Sequence, residues 1–422
     1  MRKIYLSAVL TSVLFGCASS SKILIKSTDS VLKSAFYENQ FTGFFLYDPT
    51  TKDTLYTHNS SKYFTPASNT KILTLYTALK MLPDSIPAFR YLVQGDQTFL
   101  QGTGDPTLFH TQFDNTKTLD FLKAQSNITL YLNNFDDDRL GPGWSWGDYQ
   151  YYYQAERNAM PLFGNVVTLQ RTPSTKILPT IFSDSVVAIN ASKNREIEKN
   201  IFYFDTSRKD TLEVPFRTGK MLVKYIFEKE LEKKVDLTDK MPSARLNTFY
   251  GINSDTVYRR MMHKSDNFLA EQLLILASST LSDTLNSQKA RKHILDNYLK
   301  ELKQAPRWVD GSGLSRYNLI SPEALVHVLD KLYTEISRER LLSFFPAGGV
   351  SGTLEKWYLG NPEPYIYAKT GSLSNNHCLS GYLITKSGKT LIFSFMNNHF
   401  RDSSSEVKRR MQQILENVRD TY

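Results

Sequence analysis

The chain has only two cysteines in 422 residues, Cys17 and Cys378. That excludes a disulfide-stapled scaffold and a cysteine-built zinc site. The seven histidines fall at no metal-ligand spacing, and His-Glu-x-x-His does not occur, so the sequence gives no ground for metal-assisted hydrolysis. Gly-x-Ser-x-Gly is missing too, because Ser312 and Ser351 both lack the full frame. Ser387-Gly388-Lys389-Thr390 ends like a phosphate loop. Its upstream glycine, Gly381, is too far away, and the segment reads as a hairpin turn. There is no dense Lys/Arg run and no nucleic-acid motif, so no DNA or RNA partner is inferred. No apolar run approaches the ~20 residues that cross a bilayer. Internal repeats and low-complexity tracts are also missing.

What is present describes a folded chain. It is 41% hydrophobic, 22% charged and 13% aromatic, which argues against disorder and supports large cores. The length predicts about two or three domains. Arg2 and Lys3 precede an apolar stretch over residues 4–15, then Gly16-Cys17. Residues 1–16 fit an export signal. Leu14-Phe15-Gly16-Cys17 resembles a bacterial lipoprotein box, in which Cys17 is lipidated and heads the mature chain. The alternative is a plain signal peptide with an incidental cysteine. The net charge of +9 drops by two when the signal is removed. That balance suits acidic cell-wall polymers or a membrane surface, or simply a solvated exterior. Cys378 is then a lone thiol, read as a small buried hydrophobe in a strand.

Residues 41–47 and 54–58 read as two strands joined by the turn Asp48-Pro49-Thr50-Thr51. Thr65-Pro66-Ala67-Ser68 opens a helix whose Ile72, Leu73, Leu75, Tyr76, Leu79 and Leu82 predict deep burial, and Pro83 ends it. Residues 84–246 change character. Strand-like runs alternate with loop markers such as Gly102-Thr103-Gly104-Asp105-Pro106, and the segment reads as a β-rich insert. Helices are expected over 256–263, 268–278, 287–303 and 322–335. A strand over 365–369, a hairpin over 379–397 and a last helix over 406–419, capped by Asp402 or Ser403, follow. The division is thus 1–16 signal, 17–83 first part of a domain, 84–246 insert, 247–422 second part.

Three short motifs carry chemistry. They are Ser68-Asn69-Thr70-Lys71, Ser265-Asp266-Asn267 and Lys369-Thr370-Gly371, in that order. Each alone has a plainer reading: a helix N-cap for Ser68 and for Asp266 or Asn267, a surface lysine at a strand end for Lys369. Together they make a serine nucleophile with a lysine base. Lys71 sits three residues from Ser68, on the same helix face. A serine hydroxyl attacks poorly until a base takes its proton. Lysine is that base only when neutral, and burial or a second cation such as Lys369 lowers its pKa from ~10.4. Gly371 would let a substrate backbone approach the strand edge.

With these motifs the chain resembles the class C low-molecular-mass penicillin-binding proteins, the D-alanyl-D-alanine carboxypeptidase/endopeptidase family S13. The resemblance covers about residues 41–398. The 197-residue interval from Ser68 to Ser265 is similar to this family's long insert. Gly102-Thr103-Gly104-Asp105-Pro106-Thr107-Leu108, Gly143-Trp144-Ser145-Trp146, Asp310-Gly311-Ser312-Gly313-Leu314-Ser315-Arg316 and Gly348-Gly349-Val350-Ser351-Gly352-Thr353-Leu354 resemble it as well. The resemblance implies an α/β fold: a transpeptidase/β-lactamase-like domain, with helices on both sides of an antiparallel sheet plus a helical cluster, interrupted by a β-rich inserted domain.

For the site, the resemblance implies Ser68 as nucleophile and Lys71 as base. Ser265 would relay a proton to the leaving amine, and Asn267 would hold the substrate amide and Lys71. Lys369 would set the field, and Thr370 and Ser372 would bind the terminal carboxylate beside Gly371. The backbone N–H groups of Ser68 and Ser372 would form the oxyanion hole. Peptidoglycan peptides are the implied substrates and β-lactams the implied covalent inhibitors, with no metal or organic cofactor. Two departures are expected. The insert looks shorter than in the larger members, and the segment from Tyr149 to Gly164 fits loosely, so no role is carried over to it. A β-lactamase, and a cell-wall binding protein with a vestigial site, are the competing readings. Oligomeric state is left open.

Overall fold

The computed structural model describes residue 22, residues 24–172 and residues 175–422. Cys17 and the expected signal lie outside the described residues. Among the described residues no helix is long and apolar enough to cross a membrane.

The main sheet has five antiparallel strands. Their spatial order is Ile366–Leu373, Asn376–Ile384, Thr390–Asn398, Phe41–Asp48 and Asp53–His58. The two central strands are buried on both faces because helices cover each. Strand alternation sorts the side chains. Leu379, Leu383, Leu391, Phe393 and Phe395 face a core made with Val407, Met411, Ile414, Leu415 and Val418 of the Ser404–Thr421 helix. That helix is capped by Ser403, which accepts from Glu406 N at 3.2 Å. Cys378, Tyr382, Ile392 and Met396 face the opposite core, built from the helices Lys71–Met81, Ser254–Lys264, Asn267–Ser278 and Pro322–Glu335.

The Lys71–Met81 helix is buried around its first eight residues, as its all-round apolar surface predicts. The short turn Ala67–Thr70 precedes it and carries Ser68. Ser254–Lys264 ends when Ser265 enters the left-handed region at φ 55°. Asp266 then caps Asn267–Ser278 by accepting from Leu269 N at 3.0 Å. The polar break expected between these helices is therefore a paired C-cap and N-cap.

The inserted segment has its own core and, as its main layer, a five-stranded sheet. The order is Val235–Thr238, Asn127–Tyr131, Gln97–Gly102, Ser85–Gln94, Asn247–Asn253. Asn127–Tyr131 runs parallel to both of its neighbours. Parallel neighbours need crossover connections, and the helix Thr116–Ala124 lies in the connection from Gln97–Gly102 to Asn127–Tyr131. A second helix, Lys220–Leu231, packs Val223, Ile226, Phe227 and Leu231 into the same core. Neither helix was expected from the sequence, where short amphipathic stretches lie among stronger strand signals. Asn247–Asn253 pairs with Ser85–Gln94, so this sheet continues past Leu246 to Asn253.

Candidate active site

The three motifs meet from distant parts of the chain. Ser68 stands at the start of the Lys71–Met81 helix, Ser265 and Asn267 at the break between two helices, and Lys369 on the edge strand Ile366–Leu373. The strand is tied to the Ser68 turn by Asn69, whose Nδ2 donates to Lys369 O at 2.8 Å. Ser380 on the next strand donates to Asn69 Oδ1 at 2.6 Å.

Gly371 faces the same turn. A methyl group on it would stand 2.4 Å from Pro66 O and 3.0 Å from Ser68 N. The expected role of this glycine was to admit substrate backbone. The geometry adds a nearer reason: only a missing side chain lets the strand close onto the Ser68 turn. Gly313, at φ 81°, meets Ala67 O from the other side at 1.8 Å by the same construction. The turn itself is held in an uncommon conformation, with Ala67 at φ 47°.

Lys71 is fully buried, and its Nζ makes three contacts. It reaches Ser68 Oγ at 3.0 Å, Asn267 Oδ1 at 2.7 Å and Ser312 O at 2.7 Å. Burial lowers its pKa to about 8, against the opposing pull of Asp310, Glu271 and Asp266. Lys369 Nζ donates to Ser265 Oγ at 2.8 Å and to Thr370 O at 2.9 Å. Burial first, and the charge of Lys71 second, hold its pKa well below the usual lysine range. Thr370 Oγ1 donates to Thr353 Oγ1 at 2.8 Å. Ser372 Oγ lies 2.8 Å from His377 Nδ1.

These groups open on a cleft of about 800 Å³. Ser68, Ser265, Asn267, Thr370 and Ser372 line it, as do Tyr152, Tyr153, Asp148 and Arg316. Lys264 and Lys408 add positive charge to the wall. An ordinary binding cleft falls within roughly 300–1,000 Å³.

The sequence model of the D-Ala-D-Ala carboxypeptidase 3 (S13) family matches residues 24–418. The chain belongs to that family. It is a serine peptidase of the D-Ala-D-Ala carboxypeptidase type. A D-alanyl-D-alanine carboxypeptidase, DacB, from Haemophilus influenzae is 22% identical over 99% of this chain and 98% of its own. A D-alanyl-D-alanine carboxypeptidase from an Actinomadura species is 24% identical over 89% of this chain and 81% of its own. Penicillin binding protein 4 from Haemophilus influenzae shares the fold, with a TM-score of 0.73, 21% identity and coverage of 92% and 98%. So does a penicillin G-acylated predatory endopeptidase from Bdellovibrio bacteriovorus, with a TM-score of 0.52, 15% identity and coverage of 90% and 92%.

The structure brings further groups to the site to which the sequence assigned no role. Ser312 enters through its backbone carbonyl, which no side-chain motif reveals. Its loop is shaped by buried Asp310, which accepts from Gly313 N at 2.8 Å, Ser315 N at 2.7 Å, Asn318 Nδ2 at 2.7 Å and Trp144 Nε1 at 3.0 Å. The only signal was the run Asp310 to Arg316, noted as family-like without a role. His377 is buried and its pKa falls to about 3, so the imidazole beside Ser372 stays neutral. Cys378 follows it in the strand with its thiol pushed up to about 12 by burial, which suits a structural residue rather than a nucleophile.

Proposed function

We propose that Ser68 is the nucleophile with which this peptidase opens the D-Ala-D-Ala bond, or a peptide cross-link, in peptidoglycan stem peptides. One observation carries the reading: a fully buried lysine amine stands 3.0 Å from Ser68 Oγ with its pKa lowered to about 8. An ordinary lysine is neutral in only about one molecule in a thousand at neutral pH. Lys71 is neutral far more often and so can serve as a base.

In acylation, neutral Lys71 takes the Ser68 proton while Oγ bonds to the scissile carbonyl carbon. The tetrahedral adduct collapses as the C–N bond breaks. The leaving amine takes the proton held by Lys71 through Ser265, whose Oγ is fixed by Lys369, and Lys71 is neutral again. Thr370 and Ser372 hold the substrate carboxylate, and the cationic wall of Lys264, Arg316 and Lys408 favours an anionic peptide. Water, deprotonated by Lys71, then adds to the acyl carbon, and the ester bond to Ser68 Oγ breaks as Lys71 returns the proton to that oxygen. A β-lactam presents the same carbonyl but keeps its leaving amine tethered, so it traps Ser68 as a covalent adduct.

The substrate places the protein outside the cytoplasm, in the periplasm or cell envelope. Arg2, Lys3, the apolar stretch and Cys17 support export as a lipoprotein anchored to a membrane. Loss of labelled fatty acid in Cys17→Ser tests the anchor.

Intact-protein mass after incubation with penicillin tests the site. The expected result is one adduct on the wild type and none on Ser68→Ala. An adduct that persists on Ser68→Ala would overturn the assignment. Sustained turnover of penicillin without an adduct would instead indicate a β-lactamase.

A further inference from the structure

Two carbonyl oxygens decide where the Lys71 lone pair points. A neutral amine has two N–H donors and one lone pair, whereas the ammonium has three donors. Asn267 Oδ1 and Ser312 O, both at 2.7 Å, can only accept. Once they hold the two N–H groups, the remaining direction on Nζ is the one that faces Ser68. The aim of the base therefore depends on whatever fixes these two acceptors.

Both are fixed from the inserted domain. Asn267 Nδ2 donates to Tyr153 O at 3.0 Å, which orients the amide so that Oδ1 faces Lys71. Ser312 N donates to Glu271 Oε1 at 2.8 Å. Glu271 Oε2 in turn accepts from Arg157 Nη1 at 3.2 Å, and both of these side chains are 1% exposed. Arg157 is itself locked by Asp137 Oδ1 at 3.1 Å and by Asp138 O at 2.7 Å.

We infer that residues 153–157 of the inserted domain position the Lys71 base, Tyr153 acting through Asn267 and Arg157 acting through Glu271 and Ser312. The inference rests on the reading of Ser68 and Lys71 as nucleophile and base. It gives the insert a part in the chemistry, and it gives a role to the segment that the sequence left without one.

The charges around Lys71 set the direction of the effect. Lys369 faces it from the edge strand, Glu271 and Asp266 from the Asn267–Ser278 helix and its cap, and Asp310 from the Ser312 loop. Arg157, Asp137 and Arg291 stand around Glu271. Burial and Asp310 push Glu271 toward its neutral form, and Arg157 opposes them. Without Arg157 the carboxyl is displaced further toward its neutral form. Lys71 then feels less of an anion that favours its charged form, and Ser312 has a less strongly charged acceptor.

The test is the rate of acylation by penicillin as a function of pH, per titratable active site. It compares wild type with Arg157→Met, Arg157→Lys, and the double variant Arg157→Met with Glu271→Gln. The double variant leaves no buried carboxylate facing Ser312 unpaired, and the amide that replaces the Glu271 carboxylate still offers an oxygen to Ser312 N. It decides the matter if Arg157→Met fails to fold. The expected result is acylation slowed about ten-fold or more, with the acid limb displaced about one pH unit downward. Arg157→Lys should recover most of the rate. Variants that melt earlier but keep the wild-type rate and acid limb per active site would show a purely structural role and overturn the inference. A wild type that neither forms an adduct nor turns penicillin over would overturn the assignment of Ser68 and this inference with it.

Discussion

Lys369 Nζ donates to Ser265 Oγ at 2.8 Å, joining the edge strand to the end of a helix beside the cleft. Burial first, and the charge of Lys71 second, hold the Lys369 pKa well below the usual lysine range. On the proposed reading Lys71 takes the proton and Lys369 holds the relay serine.

Lys369→Gln keeps a donor near Ser265 and removes the cation. Burial rather than Lys369 lowers the Lys71 pKa, so the acid limb of the pH profile should stay in place. Acylation by penicillin is expected to fall about a hundred-fold at neutral pH. A limb that moves upward would show that Lys369 acts on Lys71 as a cation as well as on Ser265.

Gly371→Ala should disable the site without touching any side chain of the three motifs. Its new methyl would meet Pro66 O at 2.4 Å and Ser68 N at 3.0 Å. Either the edge strand backs away or the Ser68 turn shifts. Overpacking of this kind destabilises by about 1–3 kcal/mol, and a shift of an ångström in the nucleophile costs about a hundred-fold in rate. Thermal melting and penicillin labelling together check both effects.

Two buried groups tilt the pH dependence of stability in opposite directions. His377 has its pKa lowered to about 3 by burial, against 6.5 for the ordinary group. Between these values the unfolded state binds more protons, so this group makes the fold less stable as pH falls from about 6.5 to about 3. Asp105 has its pKa raised to about 7 by burial, although Thr107 donates to it twice. The folded state binds the extra proton there, so this group makes the fold less stable as pH rises from about 3.8 to about 7. His377→Asn should therefore improve relative stability at pH 4, and Asp105→Asn at pH 7. Denaturant unfolding at both pH values reads the difference. Equal changes at the two pH values would show that neither group titrates as its burial implies.

Ser372→Ala should separate binding from chemistry. Ser372 lines the cleft beside Thr370, and a neutral His377 supports its hydroxyl. Loss of one hydrogen bond to a substrate carboxylate corresponds to about 1.5–3 kcal/mol. A rise in KM of about ten-fold for a peptide ending in D-Ala-D-Ala, with kcat nearly unchanged, would mark a binding role. A matching fall in kcat would place Ser372 in the transition state instead.

Much of the fold could be read locally. Apolar residues around the whole Lys71–Met81 helix announce burial whatever the helix packs against. The polar break at 264–267 announces a helix boundary, and the apolar run along 390–398 announces a strand between two cores. Ser68, Lys71, Ser265, Asn267 and Lys369 could be singled out because reactive side chains recur at fixed short spacings within each motif. These properties depend on neighbours a few residues away, so the sequence by itself determined them.

The rest was decided by tertiary structure. Asn69 meets Lys369 O across 300 residues, and Arg157 meets Glu271 across 114. No periodicity encodes such a pairing. Ser312 contributes a carbonyl, a group every residue carries, so only its position distinguishes it. Gly371 looks like any strand glycine until the Ser68 turn is found against it. The pKa of Lys71 is set by burial and by three carboxylates, two from the Asn267–Ser278 helix and its cap and one from the Ser312 loop. A lysine in sequence has an ordinary pKa; packing alone removes its water and brings those charges to it, and that turns Ser-x-x-Lys from a pattern into a buried amine of lowered pKa beside a serine hydroxyl.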